Sequence, residues 1–265
     1  MSGVRTSRDG HVVEITIDRP KANAIDRATS VELGRIFAGF RDDPQLRVAI
    51  VTGAGERFFS AGFDLKDASD DGSHNDLRPG GPFGVGGFAG LTELPGLYKP
   101  VIAAVNGGAY GGGTEIALAS DVVIAADHAT FAVPEVKVGL LADAGGVQRL
   151  ALRLPRNIAM EMLISGRRLT AEEGLRWGLV NWVVPAAELM AKAREVAQSI
   201  AEGAPLAVQA VKEVLSESEC QHPIETFDRM RRGRYRVYTR ALASEDAKEG
   251  PRAFAEKRKP DFKGR

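Results

Sequence analysis

Apolar and polar positions along this chain change period several times, and the changes outline its elements. Residues Val12–Ile17 read VVEITI, an alternation that predicts a half-buried strand. Asp18-Arg19-Pro20 breaks it. Residues 25–40 carry apolar side chains at helical spacing, with Asp26 placed to cap the helix. A continuous apolar run at 48–51 predicts a buried strand, closed by Thr52-Gly53-Ala54-Gly55. FFSAGFDLK at 58–66 predicts a turn at Gly62 and then a short helical start. The segment 67–90, rich in Gly, Asp and Ser, has no period and is expected to be a long irregular loop.

From 99 to 149 the pattern is denser. Val101–Val105 predicts a buried strand, and Gly107-Gly108 and Gly111-Gly112-Gly113 then lead into a helix that begins near Gly112 and takes in 114–119. Residues 122–125 and Thr130–Ala132 predict further short strands. After Gly146, helices are predicted over 147–152, 156–164, 170–177, 188–202, 205–217, 224–242 and 245–257, with one lone strand at 181–184. Thr170-Ala171-Glu172-Glu173 and the run from Ser244 have good helix-start chemistry. Strands with interleaved helices thus come first, and from about residue 205 the chain is nearly all helical.

Composition adds bounds rather than detail. The chain has 265 residues, 44% hydrophobic and 26% charged, which suits one large globular domain with or without an appendage. Lys+Arg and Asp+Glu both number 35, so no overall polyanion-binding balance exists. One cysteine, Cys220, excludes an internal disulfide and fits a reducing compartment. The first residues, MSGVRTSRDGHVVEI, lack an apolar signal core, and no apolar run reaches membrane-spanning length, so a cytoplasmic setting is expected.

Several chemistries can be set aside. A phosphate loop ends in Gly-Lys-Ser/Thr, whereas Gly113 is followed by Thr114 with no lysine. GGAYGGG does not fit a dinucleotide fingerprint, and Ser60 in FFSAG lacks the first glycine of a nucleophile elbow. His11, His74, His128 and His222 are scattered and give no metal-ligand spacing. The basic run RMRRGRYRVYTR at 229–240 interleaves aromatics; it reads as a solvated helix face, with a phosphate, RNA or subunit contact as the alternatives.

Two glutamates stand out. Glu115 follows three glycines and precedes Ile-Ala-Leu-Ala, the first turn of a buried-looking helix. Glu135 lies between Phe131-Ala-Val-Pro134 and Val-Lys-Val-Gly. Carboxylates are rarely placed in such surroundings without a partner or a task, so acid–base catalysis stands beside a plain structural pair. Asp143 in LLADAGG is either a third carboxylate of the same site or the N-cap of the next helix.

FFSAGFDLK (58–66), KPVIAAVNGGAYGGGTEIALASDVVIA (99–125), FAVPEVKVGL (131–140) and AGGVQRL (144–150) together resemble the crotonase, or enoyl-CoA hydratase/isomerase, superfamily. The likeness runs from DRPKANAI (18–25) to FAEKRKPDFKGR (254–265). It implies an α/β fold: a spiral of ββα units over 1–204 that holds the active site, then a helical trimerisation region over 205–265. It also implies homotrimers, often paired into hexamers, acting on acyl-CoA thioesters with no cofactor beyond the CoA of the substrate and no metal. The backbone N–H groups of Phe63 and Gly112 match an oxyanion hole for the thioester oxygen. Glu115 matches the residue that activates water or helps a β-hydroxyl leave, and Glu135 the one that exchanges the α-proton. Lys21, Ala22, Ala24, Ala61, Asp64, Leu65 and Lys66 match CoA-contacting positions, as do Phe254 and Lys257 on the last helix. The implied activity is reversible hydration and dehydration of a short-chain acyl-CoA, with enoyl- or dienoyl-CoA isomerisation as the alternative.

One position departs from the general hydratase pattern. Ala142-Asp143 stands where Pro-Gly is usual. Asp143 is expected to supply charge beside a trimethylammonium-bearing acyl group, with Phe83, Phe88, Tyr110 and Trp177 as aromatic faces for that cation.

Overall fold

The computed structural model describes residues 3–68, 81–219 and 221–265. Residues 69–80 of the expected irregular segment, with His74, fall outside them, as does Cys220. Two sheets organise the chain. The larger has six strands in the order β1 (Val4–Asp9), β2 (Val12–Ile17), β3 (Val48–Gly53), β5 (Val101–Val105), β7 (Val122–Ala126) and β10 (Trp182–Val184). The smaller has four: β4 (Phe58–Ser60), β6 (Gly108–Tyr110), β8 (Thr130–Ala132) and β9 (Leu169–Thr170). Strands β3, β5 and β7 run parallel in the large sheet, and each is followed in sequence by its counterpart in the small sheet, so the chain winds between the two as a spiral.

The apolar runs dictate where the core lies. Every residue of β3 and β5 is buried, as expected of central parallel strands covered on both faces. α1 (Arg27–Asp42) follows β2, capped by Asp26, whose carboxylate accepts the Thr29 N–H at 2.8 Å; it buries Leu33, Phe37 and Phe40. α7 (Leu189–Ala201) buries Ala193 and Ala197 in the same core. Its small side chains let it sit close to its neighbours.

The pattern misses the strands that lack a clear period. β1 reads VRTSRD with only Val4 buried, so a polar edge strand pairs antiparallel with β2 through backbone groups alone. β4 and β6 have three residues each and lie inside stretches that read as turn and glycine cluster. The strand expected to stand alone at 181–184 is not alone: β10 pairs parallel with β7, Trp182 opposite Ile124.

Beyond α7 come α8 (Pro205–Ser218), α9 (Pro223–Arg231), α10 (Arg236–Ala243) and α11 (Asp246–Ala255). The single helix expected over 224–242 is two, because Gly233 takes a left-handed φ of +64° and turns the chain. The N-terminus of α10 is satisfied from another helix: buried Glu213 of α8 accepts the N–H groups of Val237 at 3.0 Å and Tyr238 at 2.8 Å. Leu206, Ala210 and Val237 form a small apolar cluster apart from the main core. The Arg47 guanidinium ties the parts together, donating to the carbonyls of Ala201 at 2.7 Å and Phe262 at 2.8 Å. No helix among the described residues is long and apolar enough to cross a membrane.

Candidate active site

The site is built where the two sheets meet helix α3 (Gly112–Ala119). β5 is followed by Asn106, whose buried amide accepts the Gly53 N–H at 3.0 Å and donates to the Gly55 carbonyl at 2.7 Å, fixing the turn between the sheets. β6 then runs into Gly111, which caps α3 at φ +54°, a conformation that favours glycine. No side chain caps the helix start, and Gly112 lines the cavity. The Thr114 hydroxyl lies 2.7 Å from the Ala109 carbonyl and 2.8 Å from that of Ala132, so it holds α3 against both β6 and β8.

Glu115 therefore sits in the first turn of a buried helix, with only 4% of its surface exposed. Its Oε1 accepts the backbone N–H of Gly146 at 2.9 Å. Burial pushes its carboxyl up to about 8; the Gly146 hydrogen bond and the Arg149 charge oppose that rise, while Glu135 and Asp143 add to it. Glu135 comes from the other side, opening a 3-10 turn (Glu135–Val138) after β8. Its Oε1 lies so close to Gly111 that a Cβ there would stand 2.7 Å away. Its Oε2 is buried and has no hydrogen-bond partner among the described residues. Burial raises its carboxyl above the ordinary value, and Asp143 adds to that.

A cavity of about 530 Å³ opens between these groups. Of the sequence-derived residues, Glu115, Glu135, Phe63, Gly112, Asp143, Phe83, Phe88, Ala61 and Leu65 line it. Phe63, Phe83 and Phe88 make one aromatic wall of edge-on rings, with centroids 5.4 to 6.4 Å apart. Gly62, at φ +83°, brings the two backbone segments together: a Cβ on it would lie 2.7 Å from the Gly112 nitrogen. Among the described residues, neither the Phe63 nor the Gly112 N–H donates to a protein acceptor.

Other expectations do not hold within the chain. Tyr110 does not line the cavity; its hydroxyl is 2.9 Å from the Thr130 hydroxyl, and its ring already carries the Arg168 guanidinium at 5.0 Å. Trp177, at the end of α6 (Ala171–Trp177), packs against the main core and is likewise absent from the lining. Asp143 is not an N-cap. α4 (Gly146–Arg153) starts after Gly145, and the N–H of Gly146 goes to Glu115 instead.

Lys21, Ala22, Ala24, Asp64 and Lys66 do not line the cavity, and Lys21 and Lys66 are exposed. Ala61 donates to the Ala22 carbonyl at 2.9 Å, Asp64 accepts from Arg19 at 3.4 Å, and the Ala24 carbonyl accepts from the same guanidinium. Phe254, 87% exposed, belongs to the end of α11, Lys257 follows that helix at φ +53°, and neither lines the cavity. The basic run is split between α9 and α10, and Arg229 pairs with Glu217 while Arg232 pairs with Asp228. No grouping of three or more His, Cys, Asp or Glu fit to hold a metal occurs among the described residues.

The pattern missed Lys137, Leu140 and Leu141, which line the cavity, and Arg149, which lies behind it. Arg149 lies inside AGGVQRL, but a lone arginine in an amphipathic helix reads as solvent-facing.

Glu115 and Glu135 thus face one cavity together with Gly112, the groups that acid–base chemistry on a substrate developing a negative oxygen calls for. The profile described as Enoyl-CoA hydratase/isomerase matches residues 7–265, and the chain belongs to that family. Curated relatives narrow the likeness. A carnitinyl-CoA dehydratase from Escherichia coli O157:H7 is 56% identical over 259 residues, covering 98% of this chain and 97% of that one. One from Proteus mirabilis (strain HI4320) is 57% identical over 256 residues, covering 97% and 96%. Among solved structures, an enoyl-CoA hydratase from Mycobacterium tuberculosis H37Rv superposes with a TM-score of 0.90 at 39% identity, with both chains fully covered. A carnitinyl-CoA hydratase from Mycobacterium avium is 44% identical with a TM-score of 0.75, again over both whole chains.

Proposed function

We propose that this protein is a hydro-lyase that interconverts carnitinyl-CoA with crotonobetainyl-CoA and water. The observation that carries the chemistry is the pair Glu115 and Glu135 facing one cavity beside the Gly112 N–H. The acyl group follows from the relatives at 56 and 57% identity.

In dehydration the thioester oxygen accepts the N–H groups of Phe63 and Gly112. Glu135 takes the α-proton, and the enolate charge rests on those two donors. Glu115 gives its proton to the departing β-hydroxyl, so the C–O bond breaks, C=C forms and water leaves. Hydration is the reverse. In both directions the two carboxyls share one proton, held on Glu115 before dehydration and on Glu135 after it. Asp143 places negative charge near the trimethylammonium, with Phe83 and Phe88 as its aromatic wall.

The CoA moiety lies over Ala61 and Leu65 and the segment tied behind them, Lys21, Ala22, Ala24, Asp64 and Lys66. Exposed Phe254, with Lys257, reaches the CoA of a neighbouring subunit in a trimer or a hexamer. Exposed Val211, Leu215, Ile224 and Phe227 on α8 and α9 support such an assembly of the helical region 205–265 against the core 1–204. No cofactor beyond the substrate's CoA is needed, and a cytoplasmic setting suits an acyl-CoA substrate.

The test is turnover of crotonobetainyl-CoA against crotonyl-CoA, followed by loss of the enoyl thioester absorbance. Glu115→Gln and Glu135→Gln should each lower kcat by about 10²–10⁴-fold. Unchanged turnover in both variants removes the acid–base assignment. Preference for crotonyl-CoA in the wild type favours the second reading, a general enoyl-CoA hydratase like the structure at TM-score 0.90.

A further inference from the structure

Glu115 is held through a loop, and the loop has its own support. Residues 142–146 connect the cavity wall to α4 and deliver the Gly146 N–H to Glu115. Behind the loop stands Arg149, in the first turn of α4. Its guanidinium donates to the Ala144 carbonyl at 3.4 Å and to the Thr92 carbonyl at 2.6 Å. Thr92 is buried, and its hydroxyl donates at 3.1 Å to the carbonyl of Phe88, whose ring lies against Gly112. One side chain therefore joins the loop that holds Glu115 to the segment that carries the aromatic wall. The seat is shaped for it: Gly145 has φ +114°, and a Cβ there would overlap the guanidinium.

The geometry points to Arg149 as the positioning residue of Glu115: by bracing the carbonyls of Ala144 and Thr92, it fixes the Gly146 N–H on the carboxyl and sets a fixed positive charge behind it. This rests on the reading of Glu115 as an acid–base group. A guanidinium suits the task because its planar fork serves two carbonyls at once and remains charged at working pH, which a lysine ammonium on a flexible stem does less well.

The groups facing Glu115 are Glu135 and Asp143, and Arg149 behind the loop. Those facing Arg149 are Glu115, Glu219 and Glu93, with Arg153 further along α4. Arg149 acts on Glu115 against the rise that burial imposes, and Lys137 lines the same cavity.

The experiment compares wild type, Arg149→Gln, Arg149→Lys, Glu115→Gln and the Arg149→Gln/Glu115→Gln double variant, reading kcat, KM and the pH profile on crotonobetainyl-CoA. Arg149→Gln should lower kcat on the order of 10²-fold with KM little changed, because misplacement of a catalytic group acts on the chemical step. Its alkaline limb should move to higher pH by about one unit, since a favourable charge has gone. Arg149→Lys, which keeps the charge, should recover part of kcat and leave the limb near the wild-type position. In the Glu115→Gln background the arginine change should have little further effect, because the two residues act as a unit.

An equal loss in both backgrounds marks a merely structural arginine and overturns the inference, as does an unmoved limb in Arg149→Gln. Should that variant fail to fold, the inference stands or falls on Arg149→Lys, which must lose kcat without moving the limb. Wild-type turnover in Glu115→Gln would overturn the reading of Glu115 itself, a result distinct from either of these.

Discussion

Glu115 Oε1 and the backbone nitrogen of Gly146 lie 2.9 Å apart, although 31 positions separate them in the chain. The contact closes the first turn of α3 onto the first turn of α4. One carboxyl thereby receives an N–H from a helix N-terminus while staying buried beside two other acids. Its proton is retained by burial and oriented by that hydrogen bond.

A pH profile follows from the shared proton. On the proposed mechanism dehydration needs a proton on Glu115, so it should fall as pH rises through about 8, to which burial pushes that carboxyl. Glu135 is also raised by burial, so the acid limb should lie above the ordinary carboxylate range. Stability is linked with a definite sign: Glu115 is raised in the folded state, so its contribution is present below its unfolded value of 4.5 and lost as pH rises through about 8. Denaturant melts of wild type and Glu115→Gln at several pH values should show the wild type losing ground to the variant over that window, by a few kcal/mol at most.

Gly111→Ala should damage both backbone and site. The cap's φ of +54° disfavours an L side chain by about 1–2 kcal/mol. The added Cβ would stand 2.7 Å from Glu135 Oε1 and displace it. A lowered thermal midpoint together with reduced kcat is the expected result; an unchanged kcat would show that Glu135 does not need this seat.

Asp143→Asn should change selectivity rather than catalysis at large. Removing its charge should lower kcat/KM for crotonobetainyl-CoA relative to crotonyl-CoA by about two- to fivefold, the range of a partly solvated charge contact. Raising salt should shrink that difference. Equal effects on the two substrates would remove Asp143 from cation recognition.

Glu213→Ala should destabilise the helical part without touching the cavity. It strips the buried Val237 N–H and the part-buried Tyr238 N–H of their acceptor. A loss of about 2–3 kcal/mol in chemical denaturation is expected, because hydrogen bonds to a charged group are the strong ones. Intrinsic kcat of the folded fraction should be retained.

Several elements were legible from pattern alone. The β5 strand, α3 near Gly112, the Asp26 cap of α1 and the Thr170 capping box with Glu173 all depend on local propensity and a clear period. The three-residue strands β4 and β6 were not legible, because their pairing is carried by backbone groups that any sequence supplies. The split between α9 and α10 was hidden because Gly233 lies inside an otherwise helical run.

The sequence by itself determined the family and singled out Glu115 and Glu135, both of which line the cavity, since specific motifs and acids in apolar surroundings are local features. Only the tertiary structure decided which aromatics face the cavity. Phe83 and Phe88 do; Tyr110 is turned to Thr130 and Arg168, and Trp177 packs against the core. It also decided that Asp143 faces the cavity rather than capping a helix, and that Arg149 stands behind Glu115. The reason is geometric. A side chain's type is written at one position, but its neighbours come from β8, α3 and α4, which the spiral brings together from distant parts of the chain.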